Sequence, residues 1–194
     1  MKHVLLFVAF VSILYFTAFS QSNYTLTNAN NIIKGTSSLH SWQCVVKKQT
    51  GTATIYNTGT LAISALTVNM ESASIKSINE DGSSFNESMD KNIYKALKTD
   101  QFANITYKLI STSNVKTKGN TTSLTATGEL TIAGKTNKIL FPVKAVVNGN
   151  KIIFSGATKF KMSLFGIKPP TALMGTIKTG DEITIVLNST FTKQ

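Results

Sequence analysis

Residues 124–132, 139–147 and 152–162 carry apolar or small side chains at every second position. Leu124, Ala126, Gly128, Leu130 and Ile132 alternate with Thr125, Thr127, Glu129 and Thr131. Ile139, Phe141, Val143, Ala145 and Val147 repeat the pattern, as do Ile152, Phe154, Gly156, Thr158, Phe160 and Met162. Alternation this long predicts antiparallel strands with one wet face and one buried face. The middle of the buried face is small (Ala126, Gly128, Ala145, Gly156) and its ends are bulky. That reads as a sheet able to close around a cavity.

Shorter alternating stretches predict strands over residues 24–27, 31–36, 39–46, 51–56, 65–75, 102–110 and 182–191. In the third, His40, Trp42, Cys44 and Val46 share a face. Leu66, Val68 and Met70 point inward from the fifth, Ile105, Tyr107 and Leu109 alternate in the sixth, and Ile183, Ile185, Leu187, Ser189 and Phe191 face inward in the last. Turns are expected at Lys118-Gly119-Asn120, at Ala133-Gly134 and at Asn148-Gly149-Asn150, where Asn-Gly is a strong hairpin signal. Pro169 and Pro170 keep residues 165–170 out of a central ladder.

The period changes once. Ser84 and Glu87 have capping-box spacing. Phe85, Met89, Ile93 and Leu97 follow at four-residue steps, with Ala96 beside them, and Lys95 and Lys98 lie near the end that favours cations. This predicts one amphipathic helix of about three turns, covering an open side or end of the sheet. The fold class expected is all-β: an antiparallel barrel of about eight strands with one short α-helix.

Two segments stand apart by composition. Residues 1–20 combine Lys2, an apolar run from Val4 to Phe16, and Ala18-Phe19-Ser20 before Gln21. This reads as a cleavable secretory signal peptide, because the run is shorter than the roughly 20 residues a membrane span needs. The expected location is therefore periplasmic or secreted, with residues 21–194 as one domain. That domain has a single cysteine, Cys44, so it cannot form an internal disulfide, and a buried thiol is expected.

The whole chain carries a formal net charge of +11, and every basic residue is Lys. Arg is the residue suited to bidentate recognition of phosphate and guanine, so its absence argues against a specific nucleic-acid reader. Dispersed lysines on outward strand positions serve solubility and edge protection. They also suit a transient contact with an anionic membrane surface.

Three segments carry a family resemblance. Residues 89–97, Met-Asp-Lys-Asn-Ile-Tyr-Lys-Ala-Leu, run on to Phe102-Ala103-Asn104-Ile105-Thr106-Tyr107. Gly128-Glu129-Leu130-Thr131-Ile132-Ala133-Gly134-Lys135-Thr136 has the form Gly-x-Leu-Thr-x-x-Gly-x-Thr. Phe160-Lys161-Met162-Ser163-Leu164-Phe165-Gly166-Ile167 supplies the third. In this order the chain resembles the YceI-like proteins, bacterial extracytoplasmic proteins with a lipocalin-like barrel, some of which bind polyisoprenoids. The resemblance implies a hydrophobic lipid as partner, with an isoprenoid or a quinone as the bound molecule and no other cofactor. It leaves a homodimer open. The helix region has fewer charges than typical members, and Ser37-Ser38-Leu39-His40-Ser41-Trp42 reads as a shorter-headed opening.

Catalytic constellations are missing. Beyond residue 20 there is one histidine, so a multi-histidine metal site within one chain is excluded. His40 and Cys44, four residues apart on a strand, would stand about 13 Å apart, too far for a nucleophile pair. The expectation is a binding protein with no catalytic residue and no metal site. The candidate ligand-binding residues are His40, Trp42, Met70, Phe85, Met89, Ile93, Phe102, Tyr107, Gly128, Phe141, Phe154, Gly156 and Phe160. An inward His40 would meet a ligand head group while Trp42 lies along its chain; the competing reading makes them a satisfied rim residue and a barrel plug. Two other functions stay open: a solid-core barrel acting as a stress-response or interaction module, and an enzyme acting on a lipid through His40.

Overall fold

The computed structural model describes residues 21–57 and 60–194; the segment read as a signal peptide lies outside the described residues. Strands β1 (Gln21–Ala29), β2 (Ile32–Ser37), β3 (Ser41–Val46), β4 (Gln49–Asn57), β5 (Leu61–Glu71) and β6 (Ile75–Ile78) precede helix α1 (Glu87–Leu97). After it come β7 (Asn104–Lys118), β8 (Thr121–Ile132), β9 (Lys135–Asn148), β10 (Lys151–Lys161), the two-residue β11 (Thr171–Ala172) and β12 (Ile177–Lys193).

Eight of these strands form a closed antiparallel ring in the order β1-β4-β5-β7-β8-β9-β10-β12, and β12 returns to β1. The expected barrel is present, with a branch added. β12 is 17 residues long. Its C-terminal part pairs with β1 (Phe191 opposite Leu26), and its N-terminal part pairs with β2 (Ile185 opposite Ile33). From there β2, β3 and β6 continue as a second flap. Closure satisfies the edges of the ring; the flap ends on β6, and α1 contacts β6 there.

The long alternations form β8, β9 and β10, with Leu124, Ala126, Leu130 and Ile132 buried as read. The Ala133-Gly134 turn has both residues at positive φ, 47° and 77°, the geometry that matches the twist of a tight hairpin. Two expectations need correction. The stretch over 65–75 is not one strand: Ser72–Ser74 form a 3-10 turn between β5 and β6. The Ser72 hydroxyl donates to the Phe102 carbonyl at 2.7 Å and the Ser74 hydroxyl to the Glu71 carbonyl at 2.7 Å. The helix cap is Asn86 and not Ser84, because Asn86 Oδ1 accepts from the backbone N–H groups of Ser88 and Met89. Ser84 instead bridges to Ile78 as an isolated β pair.

α1 is held to β6 by a buried polar knot. Asp90 Oδ1 accepts from the Ser77 N–H at 2.7 Å and from its hydroxyl at 2.8 Å, and Oδ2 lies 3.2 Å from Lys76 Nζ. Burial works against the carboxylate, but the Ser77 donors and the Lys76 ammonium outweigh it and hold its pKa below the ordinary carboxylate value.

The interior has two apolar clusters. One, at the end where the eight-strand ring closes on itself, is built on Tyr24, Ile55, Ala145, Ile152, Phe154 and Phe191. The other lies beneath the helix and the flap and includes Cys44, Ile75, Phe160, Met162 and Phe165, with Met89, Ile93, Ala96 and Leu97 of α1 packed against it.

Candidate functional site

The barrel is hollow. A cavity of about 450 Å³ runs between the two clusters and touches both, from Phe154 and Phe191 to Met89 and Ile93. Its size falls within the range of pockets that take small organic ligands. Several inward side chains are only partly buried because they border this space: Leu66, Val68, Met70, Leu109, Phe141 and Leu187. Although the chain is strongly basic, none of the described residues lining the cavity is Asp, Glu or Lys. The wall suits an uncharged apolar body.

The mouth lies between α1, the β2–β3 turn and residues 170–179. The last two are tied together, since the Ser38 N–H donates to the Lys178 carbonyl at 2.9 Å and the Lys178 N–H to Ser38 Oγ at 3.1 Å. Leu39 and Phe85 line the cavity yet stay exposed, at 67% and 44%. His40 joins them. It is exposed, lies just before β3 rather than inside it, and meets the Phe85 ring edge-on at 5.9 Å. His40 is therefore a rim residue. Trp42 lies across Gly35, where a Cβ would fall 2.2 Å from the indole Cζ2, and its Nε1 donates to the Thr36 carbonyl at 3.0 Å.

Ten of the thirteen candidates border the cavity: His40, Trp42, Met70, Phe85, Met89, Ile93, Tyr107, Phe141, Phe154 and Phe160. Phe102, Gly128 and Gly156 do not. Phe102 packs over Gly134, where a Cβ would stand 2.5 Å from its ring. Gly128 lies under the Tyr107 ring, 2.4 Å from where its Cβ would be, and a Cβ on Gly156 would meet the Pro142 carbonyl oxygen at 2.2 Å. These glycines permit close approach and do not open space, which corrects the idea that small mid-strand residues create the hollow. Ala126 does line it, whereas Ala145 is sealed in the wall.

Sequence reasoning nominated none of Leu39, Pro170, Thr171 and Ile177, all of which line the cavity near its mouth. An apolar Leu39 inside a Ser-rich turn was the available signal. Cys44 also lines the cavity, with its thiol pushed up to about 12 by burial and secondarily by the Asp90 charge. Among the described residues no group of three or more His, Cys, Asp or Glu could hold a metal ion.

With this geometry in view, a family match decides the assignment: a YceI-like domain spans residues 24–191. The chain belongs to the YceI-like family. Solved structures share its fold. Burkholderia cenocepacia BcnA has 17% identity and a TM-score of 0.62, over 82% of this chain and 95% of that one. A polyisoprenoid binding domain from Saccharophagus degradans, implicated in plant cell wall breakdown, has 8% identity and a TM-score of 0.64, over 88% and 98%. A Campylobacter jejuni YCEI protein has 19% identity and a TM-score of 0.56, over 100% and 99%. At such identities these likenesses concern the fold of the YceI-like barrel. No curated protein matches the chain in sequence.

Proposed function

We propose that this YceI-like protein is an exported carrier that holds a polyisoprenoid or similar long-chain amphiphile in its barrel. The observation that carries the reading is the hollow interior, whose lining has no Asp, Glu or Lys among the described residues. Such a wall stabilises a hydrocarbon body by removing it from water, at about 0.8 kcal/mol per buried CH₂ before the costs of ordering. The name of the S. degradans structure, a polyisoprenoid binding domain, supports the same class of ligand. The composition of residues 1–20 supports export. Exposed Leu39 and Phe85 at the mouth, on a protein of net charge +11, support transient contact with an anionic bilayer during loading.

Organic extraction of the purified protein followed by mass spectrometry tests this reading. The expected result is a long-chain amphiphile near one per protein, or uptake of an added isoprenoid by the extracted protein. No stoichiometric lipid together with no uptake would overturn it.

A further inference from the structure

We propose that Tyr107 is the hydrogen-bonding anchor of the cavity, and that the ligand brings to its hydroxyl an uncharged oxygen acceptor of the ketone, quinone or ester kind. The proposal rests on the carrier reading above and adds a polar specificity element to it.

Tyr107 stands on β7, four strands from β12 in either direction around the ring, and it lines the cavity. Its ring lies along the wall over Gly128, where a Cβ would meet Cε2 and Cζ at 2.4 Å and the hydroxyl at 2.5 Å. Glycine at this position lets the ring lie flat. The hydroxyl is buried and has no hydrogen-bond partner. Buried hydroxyls are nearly always paired, so an unpaired one calls for a reason. The sheet lies behind the ring, so the free side is the cavity. The hydroxyl is itself closed off, so ligand binding would have to turn the ring off Gly128 to present it.

Among the described residues, the other buried side-chain nitrogens and oxygens that line the cavity are engaged. Asn31 Oδ1 accepts from the Asn188 N–H and the Ser189 hydroxyl, and its Nδ2 donates to Gln49. The Trp42 N–H is used by the Thr36 carbonyl. Among the described residues one other buried side-chain polar atom lacks a partner, the Tyr94 hydroxyl. Tyr94 does not line the cavity; Lys76 Nζ sits 5.3 Å from its ring centroid. Burial pushes the Tyr107 phenol up to about 12, so it is a neutral donor at physiological pH. Among the described residues the lining has no Lys, and its one imidazole, His40, lies at the exposed rim, so a carboxylate or phosphate within the barrel would have no counter-charge there. A neutral oxygen fits.

The test uses the full exported chain, freed of lipid by extraction, and two probes of similar length: geranylgeranylacetone, which ends in a ketone, and phytane, a hydrocarbon. Wild type should bind both. Tyr107→Phe should weaken the ketone about 3- to 10-fold, the worth of one hydrogen bond, and leave phytane unchanged. An equal effect on both probes, or none on either, overturns the anchor and leaves the carrier reading standing. Failure of wild type to bind either probe overturns both. Infrared spectroscopy needs no variant. The ketone C=O stretch of the wild-type complex should shift to the lower frequency of a hydrogen-bonded carbonyl, and an unshifted band would overturn the anchor.

Discussion

The two ends of this barrel are closed by different means. At one end the backbone closes it: β12 pairs with β1 over Phe191, Thr192 and Lys193, and Tyr24, Ile152, Phe154 and Phe191 pack inside the completed ring. At the other end β12 leaves β1 for β2, the flap stops at β6, and side chains take over from the ladder. α1 covers that end with Met89, Ile93, Ala96 and Leu97 and is fastened along one edge by Asp90. A hydrogen-bonded ladder opens cooperatively, whereas a helix held by one polar knot and a cavity-facing stripe can open locally. Stability sits at the ring end, and access sits where the ladder gives way.

The largest expected effect follows from that difference. Phe191 is 2% exposed and stacks edge-on with Phe154 at 5.6 Å. Phe191→Ala should cost about 3–5 kcal/mol. Ile93→Ala, on the cavity side of α1, should cost about 1 kcal/mol, because its side chain is only half-buried whereas that of Phe191 is enclosed. Urea denaturation of both variants measures the gap. Equal losses would mean that the helix is as much a part of the core as the ring.

Asp90 tests the fastening itself. Asp90→Ala should cost about 2–3 kcal/mol, since it removes hydrogen bonds to a buried carboxylate and leaves the Ser77 N–H unpaired, while the Ser77 hydroxyl keeps the Asn86 carbonyl at 3.0 Å. Amide exchange should speed up in α1 and β6 and stay slow in β8–β10. The sign of the pH dependence is set by the lowered pKa of the carboxyl. Its contribution is fully present above the ordinary carboxylate range of the unfolded chain and is lost as pH falls through the lower folded value. Wild-type helix protection should therefore fall at acid pH, while Asp90→Ala shows no such step. Uniform loosening of ring and helix would collapse the distinction between the ends.

Much of the ring was legible in the sequence, because period-two alternation reports which face of a strand is buried. β8 to β10 read correctly from Leu124, Phe154 and their neighbours. The helix end was harder. Ser72 and Ser74 continue the inward phase of Leu66, Val68 and Met70, and only their hydroxyl bonds to Phe102 and Glu71 show that the strand breaks there. Asn86 took the cap from Ser84, a choice of two residues that only local hydrogen bonding makes. His40 fell out of the strand phase at the turn. The cavity wall was mostly legible by phase, but Gly128 and Gly156 were not, since a glycine that opens space and one that admits a neighbour look alike in sequence.

Gly156 sharpens that last point. It lies opposite Val143 and Leu187, and a Cβ would run into the Pro142 backbone oxygen. Backbone yields less than a side-chain tip, so Gly156→Ala should destabilise by about 1–3 kcal/mol with ligand capacity kept in the folded fraction. Thermal melts with and without ligand separate the two effects. A variant of wild-type stability that had lost ligand capacity would restore Gly156 to the cavity wall.

The smallest effect on stability, and the finest probe of the open end, concerns Cys44. The thiol is 1% exposed and lies under the helix, and burial raises its pKa to about 12. Thiol reagents attack the thiolate, which at pH 7 would be only about one part in 10⁵. Labelling of the native protein should therefore be slower by orders of magnitude than labelling of the urea-unfolded chain, and the rate should follow local opening. Because Cys44 belongs to the helix-end cluster, Asp90→Ala should speed labelling at pH 7 far more than a ring-end change of equal cost. A rate that tracks global stability alike for both variants would show that the two ends open together, and the division of labour between ladder and helix would fail.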